Sequence, residues 1–178
     1  MDNIYEQFIY SKNDGRAQAK FYSFAICSLL LFVLAALGII IAFQQAMYAL
    51  LVGTAASGAA AVYLWRKKDE AYIEYEYAYT VGDLEVAKIV NNKRRKILCK
   101  FACKDIDAFG KITASAYNRY AKNPNIKKVY ATFGKNAENE IYYMYYVGKK
   151  AKYLIHFEPD EEMLTYVKKH LKVVIDYK

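Results

Sequence analysis

The chain of 178 residues has room for one domain of ordinary size and a membrane anchor. Its 26 Lys and Arg against 18 Asp and Glu give a net charge of +8. Nucleic-acid binding, the rival reading of a basic chain, is set aside because no nucleic-acid motif occurs, and three cysteines do not make a disulfide framework.

At the N-terminus, Ile4, Tyr5, Phe8 and Ile9 have helical spacing, which predicts a short interfacial helix, with a frayed terminus as the alternative. Asn13-Asp14-Gly15 then breaks it. Between residues 21 and 65 there is no Asp, Glu, Lys, Arg or His. Such a shift in composition separates a segment solvated by lipid from one solvated by water.

The first apolar run, residues 21–43, spans about 34 Å as a helix, enough for a ~30 Å hydrocarbon core. It is too long for the core of a signal peptide, which is ~7–15 residues. The second run, residues 48–65, is rich in Ala and near the lower limit of length. Only residues 44–47 separate the two, so the helices are expected to run antiparallel as neighbours. Lys12, Arg16 and Lys20 precede the first and Arg66, Lys67 and Lys68 follow the second, while the link carries no charge. The positive-inside rule places both termini in the cytoplasm, as a multi-pass protein of the cell membrane.

Ala49, Gly53, Ser57 and Ala61 form a ridge of small residues on the second helix, and the first offers Ala35, Gly38 and Ala42. Packing within the hairpin is one reading of the ridge. A homo-oligomer seam, or a docking face for a larger membrane partner, is the other.

From residue 69 onward, 20 basic residues face 15 acidic ones, a net +5 that suits anionic headgroups. Here the period changes to two. Ile73, Tyr75, Tyr77 and Tyr79 alternate with more polar neighbours, predicting a strand over 71–80. Turns at Val81-Gly82-Asp83 and Asn91-Asn92 bracket a second strand, 84–90. A third runs over 96–104, with Ile97, Cys99, Phe101 and Cys103 on one face, and a fourth over 106–112. Cys99 and Cys103 are about 13 Å apart on such a strand, too far for a disulfide, and read as buried thiols.

Residues 113–125 read as a loop with a helical turn, followed by strands 127–133, 140–147 and 152–157 and a helix over 159–172. That helix opens on Pro159 and Asp160 and carries Met163, Leu164, Val167 and Leu171 as its apolar stripe. The 19 tyrosines, Tyr142, Tyr143, Tyr145 and Tyr146 among them, fit ordinary sheet packing, with a carbohydrate or peptide groove as the alternative.

Seven antiparallel strands and a closing helix follow the plan of a pleckstrin-homology-like barrel. The segment EYEYAYTVGDLEVAKIVNNKRRKILCKFACKDIDAFGKI (residues 74–112) resembles the bacterial pleckstrin-homology-like (PH-like) domains found behind membrane helices. The whole chain resembles an uncharacterised family of small clostridial membrane proteins with a hairpin anchor. The resemblance implies a fold, not an activity. The expected division is a juxtamembrane segment (1–20), a transmembrane hairpin (21–65) and a cytoplasmic domain (70–178).

No nucleophile motif or phosphate loop occurs. His156 and His170 lack ligand-spaced partners, and Asp105 and Asp107 read as a solvated pair. A non-enzyme without metal or cofactor is expected. One constellation points to a function: Lys93, Arg94, Arg95 and Lys96. The first strand leads away from the anchor and the second returns, which puts this turn on the membrane side, where each charge contributes on the order of 1 kcal/mol near anionic lipid. The lipid-binding pleckstrin-homology domains use the turn between strands one and two, which here is not basic. The expected function is an interaction module for a protein partner or for assembly at the membrane. A lipid-apposed regulatory domain and an accessory subunit of a transporter are the alternatives.

Overall fold

A computed structural model describes residues 4–10, 15–148 and 151–172. The chain divides into a sheet unit, Met1–Ser11 with Glu74–Lys178, and a helical unit, Lys12–Ile73.

The helical unit is a hairpin of α1 (Gly15–Gln44) and α2 (Leu50–Lys67). Ala46 reverses the chain in the left-handed region, φ 52°, and Met47 N donates to Ala42 O at 3.0 Å. The helices run antiparallel: Ser28 Oγ donates to Ala61 O at 2.8 Å, while Gly38, ten residues further along α1, abuts Thr54 on α2. Among the described residues α1 alone is long and apolar enough to cross a membrane. The expectation of two such helices is thereby corrected. α2 is 18 residues long, ends on Arg66 and Lys67, and dilutes its apolar residues with Gly, Ser and Thr.

The sheet unit begins with an element the periodicity missed. Ile4–Tyr10 is a strand, β1, and not an interfacial helix. It pairs antiparallel with β2 (Ile73–Thr80), Tyr5 opposite Tyr79 and Ile9 opposite Tyr75. Seven residues are too few to separate a period of 3.6 from one of 2. The open edge of β2 decides between them, and five of the seven are Ile, Phe or Tyr, which suit strands.

β3 (Asp83–Val90) and β4 (Arg94–Ala102) complete a sheet of order β1-β2-β3-β4. A bulge opposite Val86 and Ala87 shifts the phase of β4. Cys99 and Phe101 stay buried, but Ile97, expected on their face, is 51% exposed. The second sheet has the order β5-β7-β8-β6: β5 (Ile106–Lys111), β6 (Ile126–Ala131), β7 (Tyr142–Val147) and β8 (Lys152–Phe157). The described residues thus form eight strands in two four-stranded sheets, not a seven-stranded antiparallel barrel. β1 joins the first sheet and β5 belongs to the second. β6 runs parallel to β8, because β8 and not the sequence neighbour β7 lies beside it in the sheet.

Between the sheets lie Tyr77 against Phe157, Phe101 against Tyr146, and Tyr75 against Phe133, with ring centroids 4.8–5.7 Å apart. Each fully buried ring of this kind contributes roughly 1.5–3 kcal/mol by leaving water. The tyrosines are therefore packing residues in large part: Tyr142 and Tyr143 are buried among Phe109, Phe157 and Tyr117. The short helix α3 (Tyr117–Ala121) brings Tyr117 and Tyr120 over the other face of the second sheet, at Tyr143 and Tyr145.

The last helix, α4, is Glu161–Lys169, shorter than expected. Asp160 caps it, its carboxylate accepting from Met163 N at 2.7 Å. Met163 and Val167 are buried, and Tyr166 stacks on Tyr79 at 5.3 Å.

Candidate functional site

The basic turn is a tight one. Asn91 and Asn92 both take positive φ, 50° and 51°, and Lys93 N closes the turn on Val90 O at 3.1 Å. Val90 lies opposite Arg94 and Tyr10 opposite Glu74. The turn therefore sits at the sheet end where β1 finishes and β2 starts, the two points at which the chain leaves for the helical hairpin and returns from it.

The four cations are not equivalent. Arg95 forks back over the sheet, its Nε donating to Glu76 at 2.7 Å and its Nη2 to Glu76 and Glu85 at 2.9 Å. Glu76 is 8% exposed. These bonds hold the Arg95 guanidinium above its usual value. They also hold Glu85 below the usual carboxylate value, through Arg95 first and Lys100, at 3.3 Å, second. Arg95 is a clamp across β4, β3 and β2. Lys93, Arg94 and Lys96 are exposed on the turn and its first strand residues. The expected cluster of four is thus three surface cations and one structural arginine.

The small-residue ridge divides as well. Ala61 is fully buried against α1. Ser57 is half-buried and bonds its own helix at Gly53 O, 2.9 Å. Ala49 and Gly53 are exposed, and a Cβ on Gly53 would meet nothing within 4 Å. On α1, Ala42 is fully buried, Ala35 and Gly38 are half-buried, and a Cβ on Gly38 would collide with the Thr54 methyl. A period of four drifts around a helix of 3.6 residues per turn, and here the row has left the α1 seam by Gly53. The basic flank after α2 is tempered too. Lys67 pairs with Glu70 at 2.6 Å, and Lys68 with Asp69 at 3.2 Å, its ammonium 4.2 Å from the Trp65 ring centroid.

Two buried polar sites escape sequence reasoning. Glu158 is fully buried, its carboxylate accepting from Glu138 N at 2.6 Å, Asn139 N at 3.1 Å and Thr132 Oγ1 at 3.1 Å. Its backbone is gripped as well: Glu158 N donates to the Tyr77 hydroxyl at 3.0 Å, and Glu158 O accepts from Gln7 Nε2 at 3.1 Å. Gln7 shares the inward phase of Tyr5 and Ile9 on β1, a polar residue at a core position, which is the signal that marks it once the strand is known. His156 is the second site. It is 3% exposed, stacked on Tyr130 at 4.7 Å, and its Nε2 lies 2.8 Å from the Tyr117 hydroxyl. Burial pulls the imidazole below its usual value and Lys128 adds to this, opposed by the Val129 backbone.

Cys99 and Cys103 are buried free thiols, pushed up to about 12 by burial. Asp107 accepts from Val147 N at 3.1 Å, and Asp105 lies in a short turn before β5. A cleft of 370 Å³ opens between Glu140 and the start of α4, lined by Tyr142, Pro159, Asp160 and Leu164. Among the described residues no three His, Cys, Asp or Glu side chains are gathered as a metal would require.

A comparison with protein families matches residues 1–175 to DUF6106, described as a bacterial PH-like domain. The chain belongs to this family. The match begins before α1, so β1 and the helical hairpin lie inside the family's own span and are not an appendage to it. No significant match occurs among curated proteins or solved structures. The family description names a fold and assigns no activity.

Proposed function

We propose that this chain is a non-enzymatic integral membrane protein whose α1–α2 hairpin crosses the bilayer twice and displays its PH-like domain in the cytoplasm. There the domain serves as an interaction module, binding a protein partner or supporting assembly at the membrane. The observation that carries this reading is the pairing of β1 with β2. The two strands flank the hairpin in sequence and are neighbours in one sheet, so both ends of the hairpin belong on one side of a bilayer. A chain with one long apolar helix, α1, must then return, and α2 is the segment available to do so. Lys12, Arg16, Lys20 and Arg66 support the cytoplasmic side for both flanks.

The test is cysteine labelling in intact cells, in a Cys27→Ser background. Gln45→Cys should react with an impermeant maleimide from outside and Ser115→Cys should not. The reverse pattern sinks the reading.

A second reading is favoured by the place of the basic turn. Lys93, Arg94 and Lys96 sit at the sheet end from which the chain runs to the hairpin. Apposition to anionic headgroups follows, at about 1 kcal/mol per cation.

A further inference from the structure

α2 is a poor transmembrane segment by itself. It is 18 residues long, contains Gly53, Thr54, Ser57 and Gly58, and closes on Arg66 and Lys67. Among the described residues only α1 meets the length and apolarity of a span. The two-crossing topology therefore needs a further contribution, and the sheet unit contains one.

We infer that docking of β1 onto β2 is what holds α2 across the membrane, so that the N-terminal strand acts as a topology lock. This rests on the two-crossing reading above. If α2 failed to cross, β1 and β2 would be left on opposite sides of the bilayer. The whole ladder from Ile4 opposite Thr80 to Tyr10 opposite Glu74 would then be lost. So would the Gln7 bridge, in which Nε2 donates to Glu158 O at 3.1 Å and Oε1 accepts from Asp160 N at 3.0 Å. The Tyr5 hydroxyl would lose the Asp160 carboxylate at 2.7 Å. Tyr77 and Tyr79, fully buried with β1 beside them, would be left at an open sheet edge. Each of these interactions is lost when α1 alone crosses, so by linkage each favours the two-crossing state over that one-crossing state. The marginal apolarity of α2 and the polar grip on β1 are two halves of one device.

The experiment uses the full chain in native membranes, in a Cys27→Ser background with Ser115→Cys as reporter. Gln7→Pro removes the bridge and interrupts the ladder. The fraction of Ser115→Cys labelled from outside is expected to rise roughly tenfold over the chain with Gln7 intact. Adding Gly53→Leu and Gly58→Leu to the Gln7→Pro chain should return the labelling to its original level. Nothing beyond the helix's own backbone lies within 4 Å of a Cβ at either glycine, so both positions are open to an added apolar side chain. Unchanged labelling in Gln7→Pro overturns the inference, and so does labelling that the leucines fail to reverse. Failure of the two-crossing reading is read separately, as external labelling of Ser115→Cys in the chain that keeps Gln7.

Discussion

Gln7 and Glu158 stand 151 residues apart in the chain and are joined by a 3.1 Å hydrogen bond from the Gln7 amide to the Glu158 carbonyl. The bond closes the sheet unit across the hairpin, because Gln7 precedes α1 and Glu158 lies where β8 hands the chain to α4. Gln7 is 8% exposed and Glu158 fully buried, so neither group has water as a ready substitute.

Gln7→Leu keeps the bulk and removes both bonds, leaving Glu158 O and Asp160 N without this partner. One buried and one part-buried group left without a partner, at about 1–3 kcal/mol for the first and the lower end of that range for the second, predict a loss of roughly 2–4 kcal/mol. The check is thermal unfolding of the full chain in detergent. A variant as stable as the original would show that the bridge contributes nothing.

A soluble version of the domain should need β1. Residues 70–178 alone leave the β2 edge bare. A shortened chain joining residues 4–10 through Asn-Gly to residues 74–172 restores it, since Tyr10 lies opposite Glu74 and a two-residue turn spans such a pair. The joined chain is expected to have the higher urea midpoint and to stay monomeric where the fragment aggregates.

The basic residues should separate by role. Arg95→Gln removes the fork on Glu76 and Glu85 and is expected to cost about 1–2 kcal/mol, the low end for charged hydrogen bonds because the guanidinium is partly solvated. Arg94→Gln with Lys96→Gln should leave the urea midpoint unchanged. It should weaken binding of the joined chain to anionic vesicles by up to about 1.5 decades at low salt, at ~1 kcal/mol per charge. Equal vesicle binding by the pair and the original would end the lipid reading.

The hairpin seam makes an opposite pair. Gly38→Val drives a side chain into Thr54 and is expected to cost about 1–3 kcal/mol through overpacking. Gly53→Val meets open space and should not lower the thermal midpoint of the hairpin. A reversed order would restore Gly53 to the seam.

His156 predicts an acid-sensitive step. Its folded value is lowered from 6.5, so the stability tied to the neutral ring is fully present above pH 6.5 and is lost as pH falls through the folded value. The groups facing it are Tyr117 on α3, Tyr130 and Lys128 on β6, and Tyr143 on β7. Urea unfolding of the joined chain between pH 7 and 4 should show a decline that His156→Gln flattens. Parallel pH profiles for the two would remove His156 from the account.

Much of this architecture is legible in the sequence, and the remainder has a common cause. The uncharged stretch from 21 to 65, the inward phase of Tyr75, Tyr77 and Tyr79, and the cap and stripe of the last helix each depend on neighbours within a few residues. Local composition and period determine them: Tyr75, Tyr77 and Tyr79 are buried, Asp160 caps α4, and Met163 and Val167 are its buried stripe. Of the uncharged stretch only α1 meets the apolarity of a span, and Leu171 falls beyond the helix end. What only the tertiary structure decided is partnership. The seven residues of β1 satisfy either period until the β2 edge selects the strand. β5 and β6 read as strands, but whether each joins the first or second sheet, and in which direction, depends on contacts far away in the chain. Arg95 is indistinguishable from Arg94 in sequence, yet Glu76 and Glu85 claim one and solvent the other. Gln7 and Glu158 look like surface residues because the pattern reports which way a side chain points, while the groups that satisfy them lie far along the chain, for Gln7 beyond the whole hairpin and for Glu158 at Thr132, Glu138 and Asn139.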